Sequence, residues 1–327
     1  MIVVTGGAGF IGSCAVAALN GRGIRDIAIA DHLGKGEKWR NLANLEFSEY
    51  VDKADLFSFL ENRRPDAVLH FGACSATTEL DADYLMENNY RYTTRLAAYC
   101  LERGARFVYA SSAATYGGGE QGYSDDEECL ERLRPLNPYG YSKHLFDLKA
   151  RRQGWLTRSA GLKFFNVYGP NEYHKGEMCS VVLRAWRQIR AEGEVRLFKS
   201  YRGEYADGGQ LRDFIYVKDA VRQALFLLDH PEVNGLFNSG TGRARSFDDL
   251  AKAVFLALGL PPRLRYVDMP PGLAERYQYF TEAEMGKSAG AGYPVEPTAL
   301  EDGVRDYVLN YLERGEARVE PWKGDRA

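Results

Sequence analysis

The sequence predicts an α/β fold built on a Rossmann-type doubly wound parallel sheet, with a smaller C-terminal domain interwoven with it. Three observations favour this fold. Short β-rich apolar runs alternate with helical patterns, a glycine-rich turn joins the first run to the first helix, and the alternation loosens after Val167. Alternating strands and helices form right-handed βαβ units, whose parallel sheet is covered by helices on both faces.

The elements follow one another in order along the chain. The apolar runs predict strands at 1–5, 27–30, 67–71, 107–110 and 162–167, with helices at 10–22, 55–62 and 84–103. Later segments predict helices at 179–192, 219–228 and 247–258, a strand at 213–217 and a glycine-rich loop at 201–210. We expect one domain from 1–167 plus about 211–240, and a second from about 168–210 and 241–320.

Composition excludes several classes of partner. The 327 residues carry a net charge of −3 and are 45% apolar, so no basic field favours nucleic acid or an anionic membrane. No apolar stretch approaches the roughly 20 residues that span a bilayer. Five cysteines without a CxxC pair predict free thiols rather than disulfides or zinc ligands. We therefore expect a cytoplasmic protein that holds no metal.

The stretch TGGAGFIG, at 5–12, follows the first strand and opens the first helix. Its glycines Gly6, Gly9 and Gly12 are spaced three apart. Glycine there permits a tight turn, close approach of the backbone to a pyrophosphate, and close packing of helix on sheet. The N-terminus of the helix adds unpaired N–H groups and a positive dipole. The stretch therefore predicts a dinucleotide site.

The residues after the second strand bear on which dinucleotide binds. Asp31 ends that strand, where a carboxylate can accept hydrogen bonds from the ribose hydroxyls of NAD. Lys35, Lys38 and Arg40 follow and could pair with the 2′-phosphate of NADP, or lie in a solvated loop. The spacing leaves both NAD and NADP open.

The stretch NPYGYSK, at 137–143, contains two tyrosines before one lysine. Residues four apart share a helix face, whereas residues two apart do not, so Tyr139 rather than Tyr141 should lie beside Lys143. A nearby ammonium favours the phenolate and lowers a tyrosine pKa from about 10. We expect Tyr139 to exchange a proton near neutral pH.

The stretch SSAATYGG, at 111–118, supplies hydroxyls at the carboxyl end of a strand, where open α/β sheets bind their ligands. Among Ser111, Ser112 and Thr115, we expect Ser112 to hydrogen-bond a substrate hydroxyl. The alternative is that these side chains only end the strand and cap a turn.

Together, TGGAGFIG, SSAATYGG and YGYSK resemble the extended short-chain dehydrogenase/reductase family, whose members mostly epimerise, dehydrate or reduce nucleotide-sugars. Further stretches are similar to its ADP-L-glycero-D-manno-heptose 6-epimerases, which act in lipopolysaccharide core biosynthesis. These are HFGACSATTE (70–79), MENNY (86–90), FNVYGPNEYHKGEM (165–178), RDFIYVKDA (212–220), FNSGTGRARSF (237–247) and RYQYFTEAE (276–284). The resemblance implies an NADP-dependent isomerase that inverts C6″ of ADP-D-glycero-D-manno-heptose by transient oxidation, as a homo-oligomer, with a pentamer expected.

The resemblance also implies roles for individual residues. Tyr139 would be one acid–base residue and Lys175 the other, although spacing alone makes Lys175 a surface-loop lysine. Lys143 and Ser112 complete the catalytic set. The implied cofactor contacts are Gly6, Gly9, Phe10, Ile11, Gly12, Asp31, His32, Lys38, Lys53, Phe71, Gly72, Ala73, Cys74, Ser75, Asn88, Lys143 and Val167, with Lys38 at the 2′-phosphate. The implied substrate contacts are Ser112, Asn166, Arg212 and Tyr277.

Two departures from that subfamily bear on the sugar and the nucleotide. The segment 197–212 is several residues longer than expected, and Arg184 stands where a substrate-contacting histidine is expected. The alternative is another NAD(P)-dependent nucleotide-sugar epimerase, reductase or dehydratase, although SSAATYGG lacks the acidic pair of the 4,6-dehydratases. A distant alternative is an NADP-binding sensor without catalysis, which the presence of Tyr139 and Lys143 disfavours.

Overall fold

The computed structural model describes residues 1–270, 272, 277–293 and 296–322. Its strands are β1 Ile2–Thr5, β2 Ile27–Asp31, β3 Glu49–Asp52, β4 Ala67–His70, β5 Arg106–Ser112, β6 Ser159–Phe164, β7 Asn166–Tyr168, β8 Val195–Phe198, β9 Leu211–Tyr216, β10 Gly235–Ser239, β11 Ala244–Ser246 and β12 Leu264–Val267. Its α-helices are α1 Phe10–Gly21, α2 Leu56–Leu60, α3 Ala82–Leu85, α4 Tyr92–Arg103, α5 Pro138–Arg152, α6 Val181–Glu192, α7 Val217–Asp229, α8 Phe247–Ala257, α9 Gly286–Gly290 and α10 Leu300–Tyr307.

A seven-stranded parallel sheet forms the centre of the molecule, in the order β10-β6-β5-β4-β1-β2-β3. The chain runs outward from β1 through β2 to β3, then returns beside β1 at β4 and continues the other way. This reversal between β1 and β4 is the topological switch point at which such sheets bind ligands. The predicted doubly wound α/β fold is therefore confirmed.

Two smaller sheets lie outside the seven-stranded sheet, in the orders β11-β9-β7 and β12-β8. The predicted strand 162–167 is divided between two sheets, because the chain bends at Phe165, whose N–H donates to the Ser239 carbonyl. Strand β9 pairs with β7, whereas β10 returns to pair with β6 in the central sheet. The later part of the chain is thus interwoven with the first.

Local sequence explains the helices that border the site. Helix α1 is rich in alanine, and its residues from Cys14 to Asn20 are buried, so it packs closely on the sheet. Helix α5 begins after Asn137, whose side-chain oxygen accepts a hydrogen bond from the Gly140 N–H at 2.7 Å, with Pro138 in the first turn. Asparagine before the first turn and proline within it are favoured helix starts.

Strands β3, β8, β10, β11 and β12 were not predicted from the sequence, nor was a π-helical turn at Met86–Arg91 between α3 and α4. All five cysteines are free thiols, as predicted. None of the helices in the described ranges combines the length and apolar character that crossing a membrane requires.

Candidate functional site

The glycine-rich turn sits where β1, α1 and the loop after β4 meet. Gly6 has φ +66°, and a Cβ there would lie 2.6 Å from the Gly72 nitrogen. A Cβ on Gly12 would lie 2.1 Å from the Gly6 carbonyl oxygen, and one on Gly9 would lie 3.0 Å from it. A side chain at Gly6 or Gly12 would therefore collide with backbone, as expected for a tight turn packed against the helix, whereas one at Gly9 would need a small shift.

Asp31 closes one side of this turn. Its carboxylate accepts hydrogen bonds from the backbone N–H groups of Ala8 at 2.8 Å and His32 at 2.7 Å. The Lys38 ammonium donates to the same carboxylate at 2.5 Å. Arg40 instead pairs with Glu37, so Lys38 is the one of the three predicted cations that lies against Asp31.

Lys53 and Asn88 come together at the far side of the switch point, where the Lys53 ammonium donates to the Asn88 amide oxygen at 2.8 Å. Asn88 lies in the π-helical turn Met86–Arg91. Such turns are rare and are often found at functional sites. Two implied cofactor contacts that are 35 residues apart in the chain are thus neighbours in space.

Asn89, the next residue of this turn, is a component of the site that the sequence analysis missed. It is buried and hydrogen-bonds both backbone groups of Cys74, accepting from the N–H at 2.9 Å and donating to the carbonyl at 3.0 Å. Its amide also contacts the Ser142 hydroxyl at 3.0 Å. Asn89 therefore ties the loop 71–75 to helix α5; the stretch MENNY was the available signal.

Tyr139, Lys143 and Ser112 meet at the carboxyl end of β5. Ser112 and Tyr139 are both buried, and the Ser112 hydroxyl is close enough to Tyr139 to lower its pKa. Lys143 is also buried and donates to the Ala110 carbonyl at 2.9 Å. Tyr141 is 51% exposed, which confirms that it points away from this group.

The prediction that Lys143 lowers the pKa of Tyr139 is wrong for this structure. Burial raises the pKa of Tyr139 above its ordinary value, and the nearby Ser112 hydroxyl offsets only part of this effect. Burial also lowers the pKa of Lys143, to about 8. Desolvation of both groups outweighs the attraction that helix spacing suggested, because the Lys143 ammonium is directed to a backbone carbonyl.

The three hydroxyls that follow the strand have different partners. Ser111 donates to the Asp147 carboxylate at 2.6 Å, and Thr115 donates to the Ser112 carbonyl at 2.8 Å. The Ser112 hydroxyl accepts from the Ala114 N–H at 3.1 Å, so it caps a turn as well as contacting Tyr139. Of the three, Ser112 is therefore the one placed at Tyr139.

Lys175 lies in a 3₁₀ turn, Tyr173–Met178, that packs against the glycine-rich turn. Its ammonium is 5.3 Å from the centre of the Phe10 ring. Asn41 joins the two segments, because its amide donates to the Ala8 and Asn171 carbonyls, each at 3.0 Å. No hydrogen bond or ion pair joins Lys175 to Tyr139 within the described part of the chain.

Two of the implied substrate contacts, Asn166 and Arg212, lie on the small sheet β11-β9-β7, and Tyr277 lies against Arg212. Arg212 is 7% exposed, and its guanidinium is 5.3 Å from the Tyr277 ring centre. Burial lowers the pKa of Arg212. Asn166 is exposed at the start of β7, which pairs with β9, the strand that carries Arg212. These three residues thus occupy neighbouring positions, whereas Arg276, which opens the stretch RYQYFTEAE, lies outside the described residues.

The two departures noted in the sequence also have defined places. In the long 197–212 segment, the Tyr201 N–H donates to the Tyr279 hydroxyl at 2.9 Å, and the Arg202 guanidinium is 4.6 Å from the Tyr279 ring centre. Arg184 donates to the Glu177 carbonyl at 2.7 Å, at the end of the turn that carries Lys175. Both departures therefore border the site.

Residues 2–240 match the model of the NAD dependent epimerase/dehydratase family. The chain belongs to this family. It is 57% identical, over 95% of its length and 98% of the relative's, to the ADP-L-glycero-D-manno-heptose-6-epimerase of Nitratidesulfovibrio vulgaris strain Hildenborough. Its similarity therefore extends beyond the residues that the family model matches.

Solved structures of other epimerases share the fold. The Helicobacter pylori ADP-L-glycero-D-manno-heptose-6-epimerase has a TM-score of 0.78 at 27% identity, covering 94% of this chain and 95% of that one. The Thermus thermophilus UDP-glucose 4-epimerase, solved in complex with NAD, has a TM-score of 0.75 at 26% identity, covering 94% and 97%. The whole epimerase/dehydratase architecture is thus present in this chain.

Proposed function

We propose that this chain is an ADP-L-glycero-D-manno-heptose 6-epimerase, which converts ADP-D-glycero-D-manno-heptose to its L-glycero epimer. One observation carries the proposal: the chain is 57% identical to a relative of that name. Ser112 and Tyr139, both buried, and the glycine-rich turn after β1 agree with it. The reaction inverts one carbon without net oxidation. The sugar oxygen therefore faces the protein in two orientations, and a side chain must exchange a proton with it in each.

The cofactor of this family member is a nicotinamide dinucleotide, and we propose NADP. A Cβ on Gly6 or Gly12 would collide with backbone, and turns of this kind lie against the pyrophosphate of a dinucleotide. When bound, the dinucleotide supplies the reversible hydride transfer. Lys38 would bind the 2′-phosphate, and this move would release the Asp31 carboxylate that it contacts now. NAD remains the alternative.

Tyr139 would exchange the proton of the C6″ hydroxyl, and the nearby Ser112 hydroxyl would hydrogen-bond the same sugar oxygen. Oxidation of the C6″ hydroxyl releases a proton, which Tyr139 would accept as the phenolate and return when the ketone is reduced. Burial raises the pKa of Tyr139 and therefore favours the protonated form that the second step uses. Lys143 provides a positive charge at the same end of β5. Lys175 would serve the opposite presentation of the sugar, reaching in from the turn beside Phe10.

Arg212, Tyr277 and Asn166 would hold the ADP part of the substrate. A buried guanidinium with part of its donors on backbone carbonyls suits a diphosphate, and the tyrosine ring offers a flat surface for a base or sugar. Keeping the substrate by its nucleotide end leaves the heptose free to turn over in the pocket between the two hydride transfers.

The decisive experiment incubates the recombinant protein with ADP-D-glycero-D-manno-heptose, without added reductant, and follows the two epimers by NMR. We expect an equilibrium mixture and no accumulation of reduced cofactor. Stoichiometric consumption of NADPH would instead identify a reductase, and release of water from the sugar a dehydratase. Bound dinucleotide without turnover of any nucleotide-sugar would identify a sensor.

Other parts of the proposal have their own tests. Near-stoichiometric NADP, identified after denaturation of purified protein, would support a cofactor recycled in place. A homo-oligomer, with a pentamer expected, is a proposal for light scattering to check. The division into cofactor and substrate domains, the cytoplasmic location and the role in lipopolysaccharide core synthesis also remain predictions.

A further inference from the structure

A charged pair is completely buried behind the proposed site. The Lys163 ammonium on β6 lies 3.0 Å from the Asp147 carboxylate on α5, and their side chains are 1% and 0% exposed. Tyr109 donates to the second carboxylate oxygen at 3.1 Å. Burying two charges costs several kcal/mol unless further hydrogen bonds satisfy them, and replacement by apolar residues is often neutral. Stability alone is therefore a weak reason for such a pair.

The pair is hydrogen-bonded to Ser111 and Thr115, which lie on either side of Ser112 in the chain. Lys163 donates to the Thr115 hydroxyl at 2.7 Å, and Thr115 in turn donates to the Ser112 carbonyl at 2.8 Å. On the other side, Ser111 donates to the Asp147 carboxylate at 2.6 Å. The backbone at Ser112 is thus fixed from both directions, which restricts where its hydroxyl can point.

The same carboxylate faces the other end of the site. Asp147 is one helical turn after Lys143 on α5, so the two side chains share a face. The attraction of Asp147 favours the charged form of Lys143 and opposes the effect of burial. Asp147 therefore accepts a hydrogen bond from Ser111, next to Ser112, and also acts electrostatically on Lys143.

We propose that Asp147 and Lys163 are positioning residues for the epimerisation: the pair holds the Ser112 hydroxyl against Tyr139, and the Asp147 carboxylate keeps the Lys143 ammonium charged. This proposal rests on the proposed function. Neither residue touches a reacting atom, since both lie beneath the strand end.

Few other charges act on this part of the site. Facing Lys143 are Tyr139 on its own helix, the Cys74 thiol after β4, and His70 on β4, whose pKa burial lowers to about 3, so it is neutral. Facing Asp147 besides Lys163 is His144, whose pKa burial also lowers. Burial has the largest effect on the pKa of Lys143, and among the charges of the described chain Asp147 opposes that effect most strongly.

The test compares pH–rate profiles of the wild type with Asp147→Asn, Lys163→Met and Lys163→Arg. If Lys143 must be charged, activity falls as pH rises through its pKa, near 8. We expect Asp147→Asn to move this fall to lower pH by roughly 1 unit, because an opposite charge has been removed. Lys163→Met should lower kcat without shifting the midpoint of the pH–rate profile to lower pH. Lys163→Arg should restore most of kcat.

Controls separate positioning from folding. Asp302→Asn, at an exposed carboxylate, should leave the profile unchanged. If Asp147→Asn fails to fold, the double variant Asp147→Asn, Lys163→Gln removes both charges and keeps neutral hydrogen-bonding groups; it should show the same downward move. A profile with an unmoved midpoint in folded Asp147-substituted protein overturns the proposal.

A measurement without substrate distinguishes this inference from the proposed function. The rate of reductive methylation of Lys143, measured by mass spectrometry as a function of pH, follows the fraction of the amine that is unprotonated. We expect the midpoint to fall by roughly 1 unit in Asp147→Asn. If this shift appears while the wild type does not epimerise ADP-heptose, the proposed function is wrong and the action of Asp147 on Lys143 stands. Equal midpoints overturn that action, whatever the reaction.

Discussion

Gly12→Ala is the substitution whose effect follows most directly from the geometry. The new Cβ would lie 2.1 Å from the Gly6 carbonyl oxygen, whereas ordinary contact begins near 3.4 Å. The oxygen is a backbone atom and the Cβ is fixed to the backbone of the helix, so neither can rotate away. The turn and the helix must therefore move apart by about 1 Å. Overpacking of this kind costs about 1–3 kcal/mol in the free energy of unfolding.

The same movement takes the N–H groups of the turn away from a bound pyrophosphate. A hydrogen bond to a charged group contributes about 1.5–3 kcal/mol, so losing one or two weakens dinucleotide binding by about 3 kcal/mol, or about 100-fold. Isothermal titration with NADP measures the affinity, and urea denaturation measures the stability.

Two other helical glycines provide matched controls. A Cβ on Gly303 would lie 2.2 Å from the Tyr168 hydroxyl, far along the chain from the glycine-rich turn, so Gly303→Ala should lower stability without changing NADP affinity. Gly290 has no neighbour within 4 Å, so Gly290→Ala should change neither, or add up to about 1 kcal/mol of stability. If Gly12→Ala binds NADP within threefold of the wild type, the steric reasoning is refuted.

Three further predictions concern charge and proton transfer. Tyr139→Phe keeps the ring and removes the proton, so the epimerisation rate should fall about 10²–10⁴-fold with bound dinucleotide unchanged, as NMR of the ADP-sugar and the released cofactor would show. Lys38→Met should weaken NADP binding about tenfold or more and NAD binding little, whereas Lys35→Met, at an exposed position, should affect neither; titration with both dinucleotides decides. Burial lowers the pKa of His70 to about 3 and of His174 to about 4, so below pH about 6.5 the unfolded chain binds protons that the folded chain does not. The free energy of unfolding should therefore decrease as pH falls below about 6.5, by about 2 kcal/mol per histidine at pH 5. Urea denaturation between pH 5 and 7 measures this decrease. If the histidines were charged in the folded state, the free energy of unfolding would not change with pH over this range.

Local patterns were sufficient to predict the tight glycine-rich turn and the shared helix face of Tyr139 and Lys143. The spacing of Gly6, Gly9 and Gly12 determines which backbone atoms of the turn and of helix α1 lie close together. The four-residue spacing places Tyr139 and Lys143 on one face of helix α5. These relations hold within a few residues, so helix and turn geometry determine them without knowledge of the rest of the fold.

Relations between distant segments could not be predicted in this way. Strand β3 is short and half exposed, and the small sheet joins residues that are far apart in the chain. The error about the pKa of Tyr139 has the same origin, because burial depends on the whole fold whereas the effect of Lys143 was inferred from one helix. Asn89 and Asp147 were missed because their partners, Cys74 and Lys163, lie on other elements.

The position of β10 has a consequence for synthesis of the protein. This strand completes the central sheet by pairing with β6, yet it follows β6 by about 70 residues. At about 5–20 residues per second, the hydrogen-bonding edge of β6 stays open for several seconds while the ribosome makes the intervening chain. An open edge is a template for pairing with another nascent chain. We therefore expect variants that slow elongation between β6 and β10, or that end before Gly235, to aggregate rather than accumulate as a smaller soluble domain.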